Sequence, residues 1–363
     1  MKKIIVCILC SITCHQLVQA QETETIFYKG TIGRYPVELI MEQTQFKDER
    51  DQTQTVYNAR YYYLSQLRPI YLYGRIAEND SLQLASDEDL RTQDGAKEEL
   101  RGKIAGDQFL GIWLQDGKQE SFTLKIAVPK TRLKPYAYDL NVPFPKNESI
   151  FGHYFADMML PEDPALQKIF INQITGNAFS GFDEMAQTEG RNFQTSYLEE
   201  VNEFYREEDS LGSHIYQYEL GSIVYPYINA DEYLILAHSL YQYAGGAHGM
   251  YHVTYYNYNH RLKKILKVED VFNMQQENKI VRVIDKAIRE KHRIAAGVPL
   301  SEGEDSYFIA DSVGMSDNIT ISKKGITFHY GIYELTPYVY GMYDIFVPFE
   351  KLLPYLKKDF PHK

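Results

Sequence analysis

Cysteine is nearly absent: the chain has 3, and Cys7, Cys10 and Cys14 account for all of them. Beyond that first stretch no disulfide, thiolate nucleophile or Cys-ligated metal is open to the chain. Tryptophan is scarcer still, with Trp113 alone beside 31 Tyr. After the N-terminus no run approaches the ~20 apolar residues that a membrane-spanning helix needs. Basic tracts are missing as well, and the formal net charge is −11. Such a surface repels nucleic acid; it serves solubility and favours a basic partner.

What is present begins with a leader. Lys2 and Lys3 precede an apolar stretch from Ile4 to Ile12, and Val18-Gln19-Ala20 supplies a small-x-small cleavage signature. Residues 1–20 are therefore expected to be a signal peptide, cleaved after Ala20, that delivers a secreted or periplasmic protein. Neither Cys10 nor Cys14 follows the Leu and two small residues of a lipidation site, so no lipid anchor is expected. Cleavage would make the mature chain cysteine-free.

Residues 21–131 read as short strands punctuated by turns. Examples are Val37 to Met41, Val56 to Leu64, Ile70 to Ile76 and Phe109 to Trp113, with Gly106-Asp107 and Asp116-Gly117 between later ones. About eight strands at near-regular spacing predict an antiparallel meander, either a sandwich or a small barrel. Pro129 to Pro145 holds four prolines without periodicity and reads as a linker, with the boundary near residue 132. Residues 132–363 mix elements. Helical periodicity marks Pro164 to Ile174, Phe182 to Glu207 with an acidic face, and Gln275 to Lys291. Strands are expected over Ser213 to Leu220, Gly221 to Ile228, Tyr233 to Tyr243, His252 to Asn259 and Ile326 to Tyr330. The class is α+β: an all-β antiparallel N-terminal domain, then antiparallel sheet packed with helices.

The sharpest local feature is Tyr241-Gln242-Tyr243-Ala244-Gly245-Gly246-Ala247-His248-Gly249. Three glycines in five positions permit positive φ or a close backbone approach. Two readings stand: a tight bend with His248 bonded to backbone, or a loop whose N–H groups contact a ligand. No helix opens directly after it and no Lys-Ser/Thr follows, which argues against a phosphate loop. His248 and His252 are four apart, but no third metal ligand is evident, so neither a metal nor a cofactor is expected. No nucleophile elbow, kinase pattern or P-loop occurs, nor the paired Asp and His-x-x-x-His of a zinc-dependent polysaccharide deacetylase. A glycosidase-type carboxylate pair stays open among the many acids.

Three segments, in order, carry a resemblance. They are Gly245 to Gly249; Tyr255 to Tyr258 with Leu266 to Phe272; and Ile326 to Tyr330 continuing through Tyr338 to Phe349. With them, roughly Tyr136 to Leu356 resembles the extracytoplasmic domain pair shared by the anti-sigma factor RsiV and the non-catalytic region of the peptidoglycan deacetylase PdaC. That resemblance implies an α+β fold without catalysis of its own and, from the anti-sigma factor, binding of lysozyme, a basic enzyme. The expected function is a non-catalytic binding protein of the cell envelope, taking a lysozyme-like protein or a peptidoglycan fragment. Ligand contacts are expected at Tyr241, Tyr243, Gly245, Gly246, His248, Gly249, Tyr338 and Tyr340. The alternatives are an envelope glycan hydrolase and a structural accessory protein with no ligand.

Overall fold

A computed structural model describes residues 22–47, 52–76, 81–86, 98–206, 212–304 and 306–361. The leader with its three cysteines lies outside the described residues, as do Glu207 and Asp209 at the far end of the acidic stretch.

Strands β1 (Glu22–Ile32), β2 (Tyr35–Lys47), β3 (Thr53–Tyr63), β4 (Ile70–Ile76), β5 (Leu82–Ala85), β6 (Glu98–Ala105), β7 (Gln108–Gln115) and β8 (Lys118–Ile126) pair in chain order. β1 then pairs with β8, so the meander is a closed barrel. Period-two alternation sends Leu39, Met41, Tyr61, Leu72, Leu84, Leu100, Phe109 and Leu124 inward. Closure demands tight backbone approach at the seam. A Cβ on Gly30 would sit 1.9 Å from the Thr123 carbonyl oxygen, so only glycine fits there.

The barrel shares a core with the second half of the chain. Tyr61 points into the lumen while its neighbour Tyr62 joins a cluster with Tyr227, Ile228 and Ala230. The Tyr62 hydroxyl donates to Glu38 (2.6 Å) and accepts the Asn229 N–H (3.2 Å). Buried Arg60 pairs with Glu42 and lies 4.7 Å over the Tyr225 ring.

The second sheet has the order β14-β13-β12-β11-β10-β9. Its strands are β9 (Leu133–Phe144), β10 (Asn147–Pro161), β11 (Tyr218–Asn229), β12 (Tyr233–Ala244), β13 (Met250–Asn259) and β14 (Lys264–Leu266). Three expectations are corrected here. The stretch expected as a linker forms β9, because an edge strand needs ladder donors on one side only and so tolerates Pro135 and Pro143. Ser213–Tyr216 is a 3-10 turn, and β11 runs unbroken through Gly221. β10 and β11 are parallel within an otherwise antiparallel sheet. Parallel neighbours need a long crossover, and helices α1 (Pro164–Thr175) and α2 (Phe182–Phe204) supply it.

Alternation gives this sheet two faces. Leu140, Tyr154, Ala156, Val224, Leu234 and Tyr258 pack with α1 and α2. Tyr227, Ile235, Ala237 and Val253 face the opposite way, into a core with the short helix α3 (Val268–Val271), α4 (Glu277–His292) and a three-stranded sheet of β15 (Ile319–Ile321), β16 (Gly325–Tyr330) and β17 (Tyr343–Pro348). α4 buries Ile280, Ile284, Ala287 and Ile288, the stripe its periodicity predicts. Among the described residues no helix is long and apolar enough to cross a membrane.

Candidate functional site

The glycine-rich segment is the connection of the β12–β13 hairpin, in which Tyr241 pairs with Tyr251. Gly245 and Gly246 have φ of 75° and 98°. A Cβ at Gly245 would also lie 2.4 Å from the Ile215 carbonyl oxygen, whereas one at Gly246 would meet open space. Replacing Gly245 by alanine is expected to cost about 2 kcal/mol and Gly246 by alanine about 1 kcal/mol. Urea titrations of the two variants check this, and equal losses would contradict the clash at Gly245.

The loop's polar groups are turned inward on itself. The Tyr243 hydroxyl donates to the Gly246 carbonyl (3.1 Å). His248 Nδ1 lies 3.0 Å from the Gly249 carbonyl oxygen, which can only accept, so Nδ1 is the donor. This is the bend with a backbone-bonded histidine. The same bend also exposes the ring of His248, which lies on Tyr338 with centroids 4.1 Å apart and planes 33° apart.

Tyr338 belongs to the 3-10 turn Tyr338–Tyr340, which follows β16. It also meets Tyr251 edge-on at 6.5 Å and Tyr333 at 6.1 Å. Tyr340 instead stacks on Tyr307 at 4.4 Å. Tyr333 and Tyr340 are 48% and 40% exposed, and Val339, within the same turn as Tyr338 and Tyr340, is 68% exposed. The structure thus brings Gly245 to Gly249 and Tyr338 together and sets Tyr340 beside them on a second ring pair. Tyr241 and Tyr243 stand half-buried on the sheet face; the Tyr241 hydroxyl comes within 2.3 Å of where a Gly249 Cβ would be. The surface also takes in Tyr251, Tyr307 and Tyr333, which the sequence does not single out, because among 31 Tyr nothing local marks those that tertiary pairing gathers.

Catalytic arrangements are poorly furnished. Ser222 Oγ lies 2.9 Å from His238 Nε2, and burial, with His252 nearby, lowers the His238 pKa to about 4. A neutral imidazole could accept the hydroxyl proton, yet no carboxylate pairs with its other nitrogen among the described residues. Ser222 lies mid-strand, where neighbouring N–H groups serve the ladder, so no oxyanion hole is at hand. His252, four residues after His248, has its ring beside Gly331. Among the described residues no three His, Cys, Asp or Glu side chains gather closely enough to hold a metal.

Residues 269–350 match the family model described as "Protein of unknown function (DUF3298)". The chain carries a DUF3298 domain. It spans α4 and the β15–β17 sheet and contributes Tyr307, Tyr333, Tyr338 and Tyr340 to the aromatic surface; the glycine loop lies before it. A crystal structure of a DUF3298 family member from Bacteroides fragilis is similar, at TM-score 0.54 and 19% identity over 64% of this chain and 96% of that one. Another from Pseudomonas aeruginosa aligns at TM-score 0.44 and 16% identity, over 64% of this chain and 98% of that one. The first of these likenesses shows the fold. No curated protein matches the chain.

Proposed function

We propose that this is a secreted or periplasmic, non-catalytic binding protein of the cell envelope, whose ligand is a lysozyme-like protein or a cell-wall glycan. The observation that carries the reading is the His248–Tyr338 stack at the β12–β13 hairpin loop, edged by Tyr251 and Tyr333. Rigid aromatic rings with few rotamers anchor protein interfaces and stack on sugar rings at low entropic cost. The net charge of −11 supports a basic protein as partner, as does the resemblance to the lysozyme-binding anti-sigma factor. The leader sequence supports export.

The hydrolase alternative finds less support. Among the described carboxylates, burial raises Glu98, Asp157 and Glu219. Glu98 is enclosed in the barrel. Asp157 pairs with Ile223, four residues along β11 from Glu219, a rise of about 13 Å. Glycoside hydrolysis uses carboxylates about 5 to 10 Å apart.

Calorimetry of the mature chain against lysozyme and against muropeptide fragments tests the reading. Binding to one of them is expected, with Tyr338→Ala losing at least tenfold in affinity. No heat with either at micromolar protein would sink both named ligands.

A further inference from the structure

Strand register turns the face of the second sheet opposite α1 and α2 into a grid. One row across β9 to β13 reads Asp139, Phe155, Gly221, Tyr241, Tyr251. The row above reads Asn141, His153, Glu219, Tyr243, and the row below Ala137, Asp157, Ile223, Ser239, Val253. Lower on the same face the barrel covers Tyr225 and Tyr227, and the β15–β17 sheet covers Ala237. On these three rows Asp139, Asn141 and Asp157 are exposed, and His153, Phe155, Glu219, Tyr241 and Tyr243 are half-buried.

Two properties of this face point outward. The first is its rings. The Phe155 ring occupies the space above Gly221, where a Cβ would lie 2.3 Å from Cζ, and Tyr241 fills the space beside Gly249 in the same way. A glycine beneath each ring lets it lean across the sheet instead of standing upright on it. Phe155, Tyr241 and Tyr251 thus form an aromatic band across four strands, roughly 14 Å at the usual strand spacing. The second is charge. The three rows carry Asp139, Asp157 and Glu219 and neither Lys nor Arg. Of the three, Asp139 alone is ion-paired among the described residues, with His153 at 2.7 Å. Desolvation raises the pKa of Asp157, helped by Glu42, and that of Glu219 despite His153. Carboxylates beside aromatic faces, with no Lys or Arg on the same rows, are complementary to a cation that arrives with a ring.

We infer that this sheet face binds an oligosaccharide bearing free amino groups, its sugar rings on Phe155 and Tyr241 and its ammonium groups on Glu219 and Asp157. A basic peptide would satisfy the carboxylates as well, but it would not need a band of rings bedded on glycines. The inference rests on the binding-protein reading and extends it to a second surface with a defined ligand class.

Calorimetry at pH 6 with a glucosamine pentamer and its fully N-acetylated counterpart tests it on the mature chain. The free-amine pentamer should bind at least tenfold more tightly and lose affinity with added salt. Glu219→Gln and Phe155→Ala should each weaken it about tenfold or more. Phe155→Leu keeps apolar volume above Gly221 without a ring, so it serves if the alanine variant fails to fold. Equal affinity for the two pentamers, no binding of the amine form, full binding by Phe155→Leu, or equally tight binding of a lysine pentapeptide would each overturn the proposal. Tyr338→Ala separates the two surfaces: it should leave the preference for the amine pentamer intact, and loss of that preference would overturn the assignment to this face. Binding of the amine pentamer without lysozyme or muropeptide binding would remove those two ligands and leave this one standing.

Discussion

Replacing Asn257 by alanine should destabilise the C-terminal half by about 3 kcal/mol. Asn257 is 1% exposed, and its side chain reaches from β13 to β15. Nδ2 donates to the Ile319 carbonyl (2.7 Å), and Oδ1 accepts the Ile321 N–H (3.0 Å). Both ends of the β15 backbone are thereby satisfied by one amide. Alanine would strand a buried acceptor and a buried donor at once, and each orphan costs roughly 1–3 kcal/mol. Asn318 makes the reciprocal link: it donates to the Val253 carbonyl (2.7 Å) and accepts the Tyr255 N–H (2.9 Å), on a part of β13 that β14 leaves uncovered. The pair holds the DUF3298 sheet against the hairpin that bears the glycine loop, so the aromatic surface depends on it. Urea denaturation followed by circular dichroism would read the change. A loss below about 1 kcal/mol would show that water replaces the amide. Asn257→Asp keeps the acceptor but sets a buried carboxylate oxygen against the Ile319 carbonyl, and should cost at least as much as alanine.

These amides also show where the sequence was legible and where it was not. Periodicity alone located α1, α2 and α4, because a helix that buries one stripe must repeat its apolar residues locally. The barrel strands were readable for the same reason at period two. Closure was not, since it depends on β1 meeting β8 across the whole meander, with Gly30 against Thr123 as its local trace. Prolines hid β9 because edge placement, which excuses Pro135 and Pro143, is a property of the assembled sheet. Gly221 looked like a break between strands and instead makes room for Phe155, a residue contributed by a parallel neighbour. In the site, the glycine loop announced itself through three glycines in five residues. The ring that lies on it could be chosen only by guessing among tyrosines, and the acidic grid exists only in the register.

Barrel stability should fall as pH rises from about 5 to 8, and Glu98→Gln should abolish most of that slope. Glu98 points into the barrel lumen, 8% exposed, where it accepts the Tyr61 hydroxyl proton in a hydrogen bond. The indole N–H of Trp113 lies 3.2 Å from the Tyr61 oxygen and 3.5 Å from Glu98. No cation joins them among the described residues. Burial, only partly opposed by the Trp113 hydrogen bond and reinforced by Asp116, raises the Glu98 pKa from 4.5 to about 7. A carboxyl whose folded pKa exceeds its unfolded one favours folding while it is protonated. That contribution is complete below about pH 4.5 and is lost as pH climbs through 7. Allowing for some solvent access, the loss is on the order of 2 kcal/mol. Histidines act with the opposite sign: His238 and His292, lowered to about 4 by burial, favour folding above their unfolded pKa and withdraw that support as pH falls. A whole-chain melting curve would blend the two trends. Trp113 separates them, because it is the chain's single tryptophan and sits beside Glu98. Its fluorescence should titrate with a midpoint near 7, and its urea midpoint should drop between pH 5 and 8 in the native chain but not in Glu98→Gln. Equal urea midpoints for the native barrel at the two pH values would mean that the lumen admits enough water to keep Glu98 ionised throughout.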